Sequence, residues 1–242
     1  MNSIKTRGLQ AISLAPFAQP NEAEHLGYLQ LQPPEEKQYI LRMLIRRPFQ
    51  DFKIPTELEW AQPLIEKADA YQRIELQIIQ PYCYITVRSG LIESVTDDEW
   101  HTDGFSMNIT HLPEQNYAWS NVYPTEFVAK AIQFPNDFSP LKHNVHQYIQ
   151  DTLTAEPAPV TAGKPNSVYC FDPYVIHRRP QVPAGTQRTF LRVSFTPIEI
   201  VDDNNTQNPL LPVAKYHRDA IKVFRNPSAE VSSRLIKLTS YA

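Results

Sequence analysis

The stretch YVIHRRPQVPAGTQRTFLRVSF, residues 174–195, decides the fold class that the sequence favours. Its aromatic and β-branched residues predict two strands, 174–182 and 187–195, and the PAGT turn between them predicts a β-hairpin centred on Ala184–Gly185. Similar strand patterns, each ended by turn residues, occur at 75–90, 106–112 and 167–171. The chain has 22 prolines and 6 glycines, and prolines spread along a sequence favour short strands over long helices. We therefore expect a mainly β fold.

The second strand of this hairpin carries two arginines on one face. Arg188 and Arg192 alternate with the apolar residues of the opposite face, Leu191, Val193 and Phe195. Arginines on one side of a largely apolar strand are costly to bury unless each meets an anion. Counting back from the turn pairs Gln181 with Arg188 and His177 with Arg192. This pattern indicates an anion site beside His177; the alternative is a pair of surface salt bridges on an edge strand.

The stretch EWHTDGF, residues 99–105, places His101 and Asp103 one residue apart. In an extended chain both side chains point to the same face, about 6.6 Å apart at the backbone, so both can reach one metal ion. His177 is the candidate third ligand. Two histidines and one carboxylate leave three positions open, as non-haem Fe(II) needs in order to bind a chelating co-substrate and O₂. The alternatives are a solvated acidic loop and a histidine at 177 that is satisfied in the core or at the surface.

The composition argues against several classes of function. At 242 residues the chain fits one domain of the larger kind. The formal net charge is −3 with no run of lysine or arginine, so a nucleic-acid partner is not expected. The sequence has no signal peptide and no stretch of about 18 apolar residues, which favours a cytoplasmic protein without a membrane partner. Cys83 and Cys170 lie in apolar stretches and are expected to be reduced and buried.

The N-terminal part of the chain contains one predicted helix. Residues 55–74 have an amphipathic pattern, with Thr56 as the N-cap and a break at Pro63. Residues 38–45 are apolar over a length that fits either a strand or a helix.

The segment 113–160 has an irregular pattern apart from a predicted helix at 139–153. His143 and His146 lie on that helix, but no carboxylate is spaced to join them, so we predict no metal site there. The part before the helix is rich in aromatic residues, which are Tyr117, Trp119, Tyr123 and Phe127. They either complete the core or form a lid that closes over a substrate.

Together these motifs resemble the Fe(II)- and 2-oxoglutarate-dependent dioxygenases. The resemblance rests on HTD at 101–103, on His177 further along the chain, and on Arg188 after His177. It covers roughly residues 75–200. It implies a double-stranded β-helix (a jelly roll, cupin-like) with flanking helices, in a single domain, residues 1–242. The core is then at roughly 75–200, and residues 1–74 form a helical or mixed N-terminal support.

The resemblance also implies roles for the site residues. His101, Asp103 and His177 would ligate Fe(II), and Arg188 would bind the distal carboxylate of 2-oxoglutarate. Arg192 would contact the substrate or the near carboxylate of the co-substrate. The implied reaction uses O₂, converts 2-oxoglutarate to succinate and CO₂, and hydroxylates an unactivated C–H bond. The carboxylate at Asp103 favours hydroxylation, or desaturation, over halogenation.

The substrate and two rival functions remain open at this level. The balanced charge argues against duplex nucleic acid as the substrate, which leaves a small polar molecule, such as an amino acid or carboxylic acid, or a protein side chain. Arg192 near the metal favours a substrate with a carboxylate, so a small molecule is preferred. One rival is a non-catalytic jelly-roll binding domain. The other is a cupin-type metalloprotein that does not use 2-oxoglutarate, and neither rival requires a buried arginine at 188.

Overall fold

The structure is a computed structural model that describes residues 22–93, 99–103, 114–135, 137–138 and 143–211. These ranges contain nine strands, one 3₁₀ helix and two α-helices. The strands are β1 (Glu24–Tyr28), β2 (Gln38–Arg46), β3 (Tyr82–Leu91), β4 (Gln115–Ser120), β5 (Glu126–Val128), β6 (Val160–Ala162), β7 (Ser167–Phe171), β8 (Ile176–Arg178) and β9 (Gln187–Thr196). The helices are the 3₁₀ helix Thr56–Ala61, α1 (Gln62–Ile74) and α2 (Val145–Ala155).

The strands form two antiparallel sheets. The large sheet has the order β1-β7-β4-β9-β3-β2, and the small sheet has the order β6-β5-β8. The fold is therefore mainly β with few helices, as predicted. None of the helices in the described part of the chain is long and apolar enough to cross a membrane.

One face of the large sheet packs under the N-terminal helices. Leu191, Val193 and Phe195 of β9 belong to the same buried cluster as Leu64 and Ile65 of α1. Each such side chain contributes about 1.5–3 kcal/mol by leaving water. The predicted alternation on β9 is thus confirmed, and the arginine face of the strand points to the other side of the sheet.

The helix predicted at 55–74 exists, but its start differs from the prediction. Thr56 is not a cap: Pro55 occupies the N-cap position and no side chain caps the helix. The break at Pro63 is confirmed, because the 3₁₀ helix ends at Ala61 and α1 begins at Gln62. Proline fits the first turn of an α-helix, where its missing N–H has no partner to lose.

The hairpin predicted for 174–195 is wrong. β8 pairs with β5 in the small sheet, whereas β9 pairs with β3 and β4 in the large sheet. Pro180 and Pro183 follow β8, and a proline cannot donate to a strand ladder. The chain therefore leaves the small sheet and crosses to the large one. The predicted pairings of Gln181 with Arg188 and of His177 with Arg192 are wrong for the same reason.

The segment predicted to be irregular, residues 113–160, contains two strands, β4 and β5, and β6 begins at its last residue. β4 lies inside the large sheet, between β7 and β9, and β5 and β6 belong to the small sheet. Tyr117, Trp119 and Phe127 are buried at 0%, 1% and 3% exposure, so these aromatic residues complete the core. The lid interpretation is wrong for them; Tyr123 is 40% exposed at the turn that follows β4.

The remaining predictions concern element bounds and the thiols. The 38–45 stretch is a strand (β2), and the strand expected from residue 75 begins at Tyr82. The second predicted helix begins at Val145, where the Asn144 side chain accepts hydrogen bonds from two backbone N–H groups. Cys83 and Cys170 are buried and free, as expected. The strand predicted at 106–112 lies outside the described residues.

Candidate functional site

His101 and His177 face each other as one antiparallel residue pair. The His101 N–H donates to the His177 carbonyl at 3.0 Å, and the His177 N–H donates back to the His101 carbonyl at 2.9 Å. Side chains of directly opposed residues lie on the same face. The two imidazole rings are accordingly 4.5 Å apart between centroids. This bridge joins the HTD segment to β8 and brings together two ligands that are far apart in sequence.

The two histidines are oriented by the same kind of hydrogen bond. His101 Nδ1 lies 2.8 Å from the Glu99 carbonyl oxygen, and His177 Nδ1 lies 2.9 Å from that of Val175. A carbonyl only accepts, so each Nδ1 carries the proton and donates it. In the neutral form of such a ring Nε2 carries the lone pair, which is the atom a metal-ligating imidazole offers.

Asp103 completes a group that can bind a metal ion. Its Oδ2 lies 3.8 Å from His177 Nε2, and one ligand atom from each of His101, Asp103 and His177 lies within 4.8 Å of the others. Two imidazoles and one carboxylate form a nitrogen and oxygen donor set, which suits iron and other transition metals. All three residues singled out in the sequence therefore meet at one place, although the predicted hairpin does not exist.

The buried surroundings keep His177 neutral. Burial lowers the pKa of His177 to about 4, and the neighbouring His101 acts in the same direction. Phe171 and Phe127 contribute to this apolar environment, with ring centroids 5.1 Å and 6.5 Å from that of His177. A neutral imidazole at neutral pH needs to lose no proton before it binds a metal.

The HTD segment is fixed from outside by two contacts. The Trp100 N–H donates to the Gln150 side chain of α2 at 3.2 Å, and the Trp100 ring lies 4.2 Å from the Arg178 guanidinium carbon. The ring of His146 also comes close, with its Nε2 3.1 Å from the Thr102 carbonyl. Through this contact His146 helps to position the backbone between the two HTD ligands.

Arg192 reaches the site from the large sheet and contacts a predicted ligand. Its Nη1 lies 2.5 Å from Asp103 Oδ2, and both side chains are largely buried. In the sheet, Arg192 lies opposite Thr86 of β3 and Ala118 of β4. A charge-assisted bond of this kind holds the carboxylate in one orientation. The contact was not predicted, because the sequence does not show that β9 and β8 belong to different sheets.

Arg188 is a buried cation in the same cavity. It is 5% exposed, and its Nε donates to the Tyr123 carbonyl at 3.0 Å. Burial lowers the pKa of Arg188 to about 10, with the charges of Arg179 and Arg88 acting in the same direction, so it is still charged at neutral pH. Within the described ranges no carboxylate forms an ion pair with it. A buried cation that is surrounded by other cations favours an anionic ligand.

A cavity of about 680 Å³ connects these groups. Its volume suits a small-molecule site, and both sheets contribute to its wall. Several residues that line it were not predicted from the sequence: Arg42, Arg88, Arg178, Arg179 and Asp202. Arg178 and Arg179 could have been predicted, because they directly follow the predicted ligand His177. The cavity position of Arg42 could not be predicted, because the residue lies where the pairing of β2 with β3 is irregular, and the sequence pattern of β2 does not indicate that irregularity.

Comparison with known proteins places the chain in no family. Neither a family model nor a curated protein matches the chain. Among solved structures, the chain is similar to EvdMO1 with 13% identity and a TM-score of 0.42, over 76% of this chain and 49% of that one. It is also similar to AviO1 from Streptomyces viridochromogenes Tue57 with 11% identity and a TM-score of 0.41, over 83% of this chain and 99% of that one. The chain thus spans about half the length of EvdMO1.

Proposed function

We propose that this chain is an Fe(II)- and 2-oxoglutarate-dependent oxygenase that hydroxylates an unactivated C–H bond of a small polar molecule. The observation that carries the proposal is the presence of the His101, Asp103 and His177 group and the buried Arg188 in one cavity. The arrangement of the sheets supports a double-stranded β-helix. Two antiparallel sheets both border this cavity, and the N-terminal helices cover the far face of the large sheet.

In this proposal His101, Asp103 and His177 would hold Fe(II), and a set of three protein ligands would leave it able to bind small ligands. When bound, the iron supplies the activation of O₂ that couples decarboxylation of 2-oxoglutarate to oxidation of the substrate. The Nδ1 contacts with the Glu99 and Val175 carbonyls would orient both rings with Nε2 available to the metal. Arg192 orients Asp103 through its ion pair.

Arg188 is assigned to the distal carboxylate of 2-oxoglutarate. It lies on the same face of β9 as Arg192, four residues away, so the two backbones are separated by about 13 Å along the strand. A co-substrate that binds the metal group with one end can then present a carboxylate to Arg188 with the other. A guanidinium matches a carboxylate with a two-pronged hydrogen bond, and burial strengthens that pair.

The aromatic rings around His177 exclude water from one side of the site. Exclusion of water strengthens the polar interactions within the site and protects reactive species from side reactions. Asp103 would supply a carboxylate ligand to the metal, whereas halogenation would need that place for a halide, so hydroxylation is proposed over halogenation.

The decisive test is anaerobic addition of Fe(II) and then 2-oxoglutarate to the purified protein. Chelation by the keto acid should produce a weak visible charge-transfer band that disappears in His177→Ala. A His143→Ala variant, which changes an exposed histidine outside the metal group, should keep the band. If folded protein binds iron but gives no band, the co-substrate assignment is wrong and a metal-binding domain without 2-oxoglutarate is the better description.

A further inference from the structure

Strand β2 contains a β-bulge whose second residue is an arginine. The register between β2 and β3 shifts between Ile40 and Met43, so Leu41 and Arg42 together face the single residue Thr86. Arg42 has φ of +43°, in the left-handed region. For a residue with a side chain this conformation costs roughly 1–2 kcal/mol, and bulges beside active sites commonly redirect a side chain.

The bulge is stabilised by side-chain hydroxyl groups. The Arg42 N–H donates to Thr86 Oγ1 at 3.2 Å, and the Leu41 N–H donates to Thr206 Oγ1 at 2.9 Å. The Thr206 N–H donates in turn to the Leu41 carbonyl at 2.7 Å. The backbone groups of Leu41 and Arg42 that are not paired between the strands thus have other hydrogen-bond partners. These bonds stabilise the bulge in the folded protein.

The Arg42 side chain is directed to the cavity that holds the metal group. Its Nη2 lies 2.7 Å from Oε1 of the buried Glu114, and the residue lines the cavity together with Asp103 and Arg192. Thr86 of β3 faces the bulge on one side and pairs with Arg192 of β9 on the other. Because Arg192 contacts Asp103, Arg42 lies level with the metal group along the strands. Arg42 Nε is buried and has no hydrogen bond to any described residue.

Two unfavourable features therefore coincide at one residue of the cavity wall. A left-handed backbone and a buried N–H without an acceptor each cost free energy in the folded protein. The ion pair with the buried Glu114 explains a cation at this position, and it is made through Nη2 of the guanidinium. The Arg42 side chain is 21% exposed, so an anion in the cavity can accept from the accessible edge of the guanidinium beside Glu114.

The cavity wall beside Arg42 is polar, and a hydrogen bond to β3 holds it in place. It is formed by a segment after β9 that includes Ile200 and Asp202, and the Ile200 N–H donates to the Tyr84 hydroxyl at 2.6 Å. Asp202 lines the cavity and also shares a smaller neighbouring pocket with Arg42. A cation and a carboxylate on adjacent parts of one wall suit a ligand with a carboxylate and a nearby hydrogen-bond donor.

We propose that Arg42 binds a carboxylate of the substrate, so that the substrate of the proposed oxygenase is a small carboxylic acid. Asp202 accepts from the ammonium group when that acid is a free α-amino acid. This assignment rests on the proposed function and leaves Arg188 to the co-substrate. It also adds Arg42 to the substrate contact expected of Arg192; each of the two arginines already pairs with one carboxylate of the protein, Glu114 and Asp103 respectively.

Direct binding by calorimetry tests this proposal without turnover. The probes are the twenty common L-α-amino acids, their carboxamides, and the matching α-hydroxy acids. At least one acid should bind the wild-type protein, and its carboxamide should bind at least about 10-fold more weakly, because a charged pair is lost. Asp202→Asn should weaken binding of the amino acid but not of the hydroxy acid. Equal weakening of both would overturn the role of Asp202.

The variants are Arg42→Gln, Arg42→Lys and the control Arg47→Gln. Arg47 also pairs with a glutamate, Glu199, but does not line the cavity. Arg42→Gln should lower affinity for the acid about 10- to 100-fold, Arg42→Lys should recover part of it, and the control should behave as wild type. Wild-type affinity in a folded Arg42→Gln protein overturns the proposal. So does equal binding of acid and carboxamide by the wild-type protein, or the absence of binding by every acid in the panel.

The charge-transfer band separates this proposal from the proposed function. Arg42→Gln should form the band at the same 2-oxoglutarate concentration as the wild-type protein. A wild-type protein that binds the acid but forms no band contradicts the oxygenase and not the acid site. A band that requires Arg42 means that Arg42 binds 2-oxoglutarate, which overturns the substrate assignment.

Discussion

At the scale of single residues, the site depends on how each ligand is held. A histidine becomes a metal ligand when its second nitrogen has a fixed partner, and both His101 and His177 use the backbone carbonyl two residues earlier. The sequence could predict the ligands, because His101 and Asp103 share a face in any extended chain. It could not predict the Asp103 contact with Arg192, which depends on the position of another sheet.

Removal of any one ligand should abolish metal binding. We expect His101→Ala, Asp103→Ala and His177→Ala each to lower Fe(II) affinity by at least about 100-fold, more than the loss typical of an outer-shell partner. Calorimetric titration with Fe(II) under anaerobic conditions measures this loss, with His143→Ala as the matched control. A variant that binds Fe(II) as the wild type does would remove that residue from the ligand set.

Arg188→Ala should chiefly raise the apparent KM for 2-oxoglutarate. Loss of a charge-assisted pair costs roughly 1.5–3 kcal/mol, or about 10- to 150-fold in apparent affinity. Steady-state succinate formation at varied 2-oxoglutarate measures the change. Arg192→Ala is the comparison, because it should act on metal binding through Asp103. If Arg192→Ala raises this KM and Arg188→Ala does not, the two roles are reversed.

The metal-stripped protein should lose stability as the pH falls below neutral. His177 has a pKa of about 4 in the folded chain and about 6.5 when unfolded, so the unfolded chain binds a proton first. Above pH 6.5 this histidine is neutral in both states and does not lower the free energy of unfolding. Between pH 6.5 and pH 4 the unfolded chain binds the proton and the folded chain does not, so the free energy of unfolding falls by up to about 3 kcal/mol. Urea unfolding in a chelator between these values measures it. The decline should be smaller in His177→Gln, and an equal decline in both proteins contradicts the assignment.

At the scale of elements, the alternation of polar and apolar residues predicted which side chains share a face of a strand, but it did not predict which strands pair. The faces of β9 follow the sequence pattern, because side chains must alternate. The hairpin prediction failed because Pro180 and Pro183 interrupt pairing, so that two neighbouring segments join different sheets. The bulge at Leu41 and Arg42 could not be predicted, since its partners Thr86 and Thr206 lie far away in sequence.

The bulge should be sensitive to loss of a single hydroxyl group. Thr86→Val keeps the shape of the side chain but leaves the Arg42 N–H without its acceptor, which should cost about 1–3 kcal/mol of unfolding free energy. Thr86→Ser keeps the hydroxyl and should cost less. Urea unfolding followed by circular dichroism gives both values. Equal stability of the Val variant and the wild type would show that this hydrogen bond does not support the bulge.

At the scale of the whole molecule, the site is assembled from both sheets. The HTD segment and β8 bring His101, Asp103 and His177 together, and β9 of the large sheet brings Arg188 and Arg192. Short segments from distant parts of the chain thus meet across one cavity. The sequence indicated the chemistry of each segment but not which segments lie opposite one another, because that depends on pairing over long separations.

The aromatic residues of β4 provide the last test, since they are part of the core of the whole molecule. Trp119 is 1% exposed in the middle of the large sheet, and its Nε1 donates to the Leu29 carbonyl at 2.8 Å. Trp119→Ala should therefore lower the unfolding free energy by about 3–5 kcal/mol. Trp119→Phe, which keeps much of the buried ring but loses the hydrogen bond, should cost less. Urea unfolding measures both, and binding of 2-oxoglutarate by the folded fraction should be unchanged. A stable Trp119→Ala protein with weakened ligand binding would instead restore the lid interpretation that the buried position of this residue argues against.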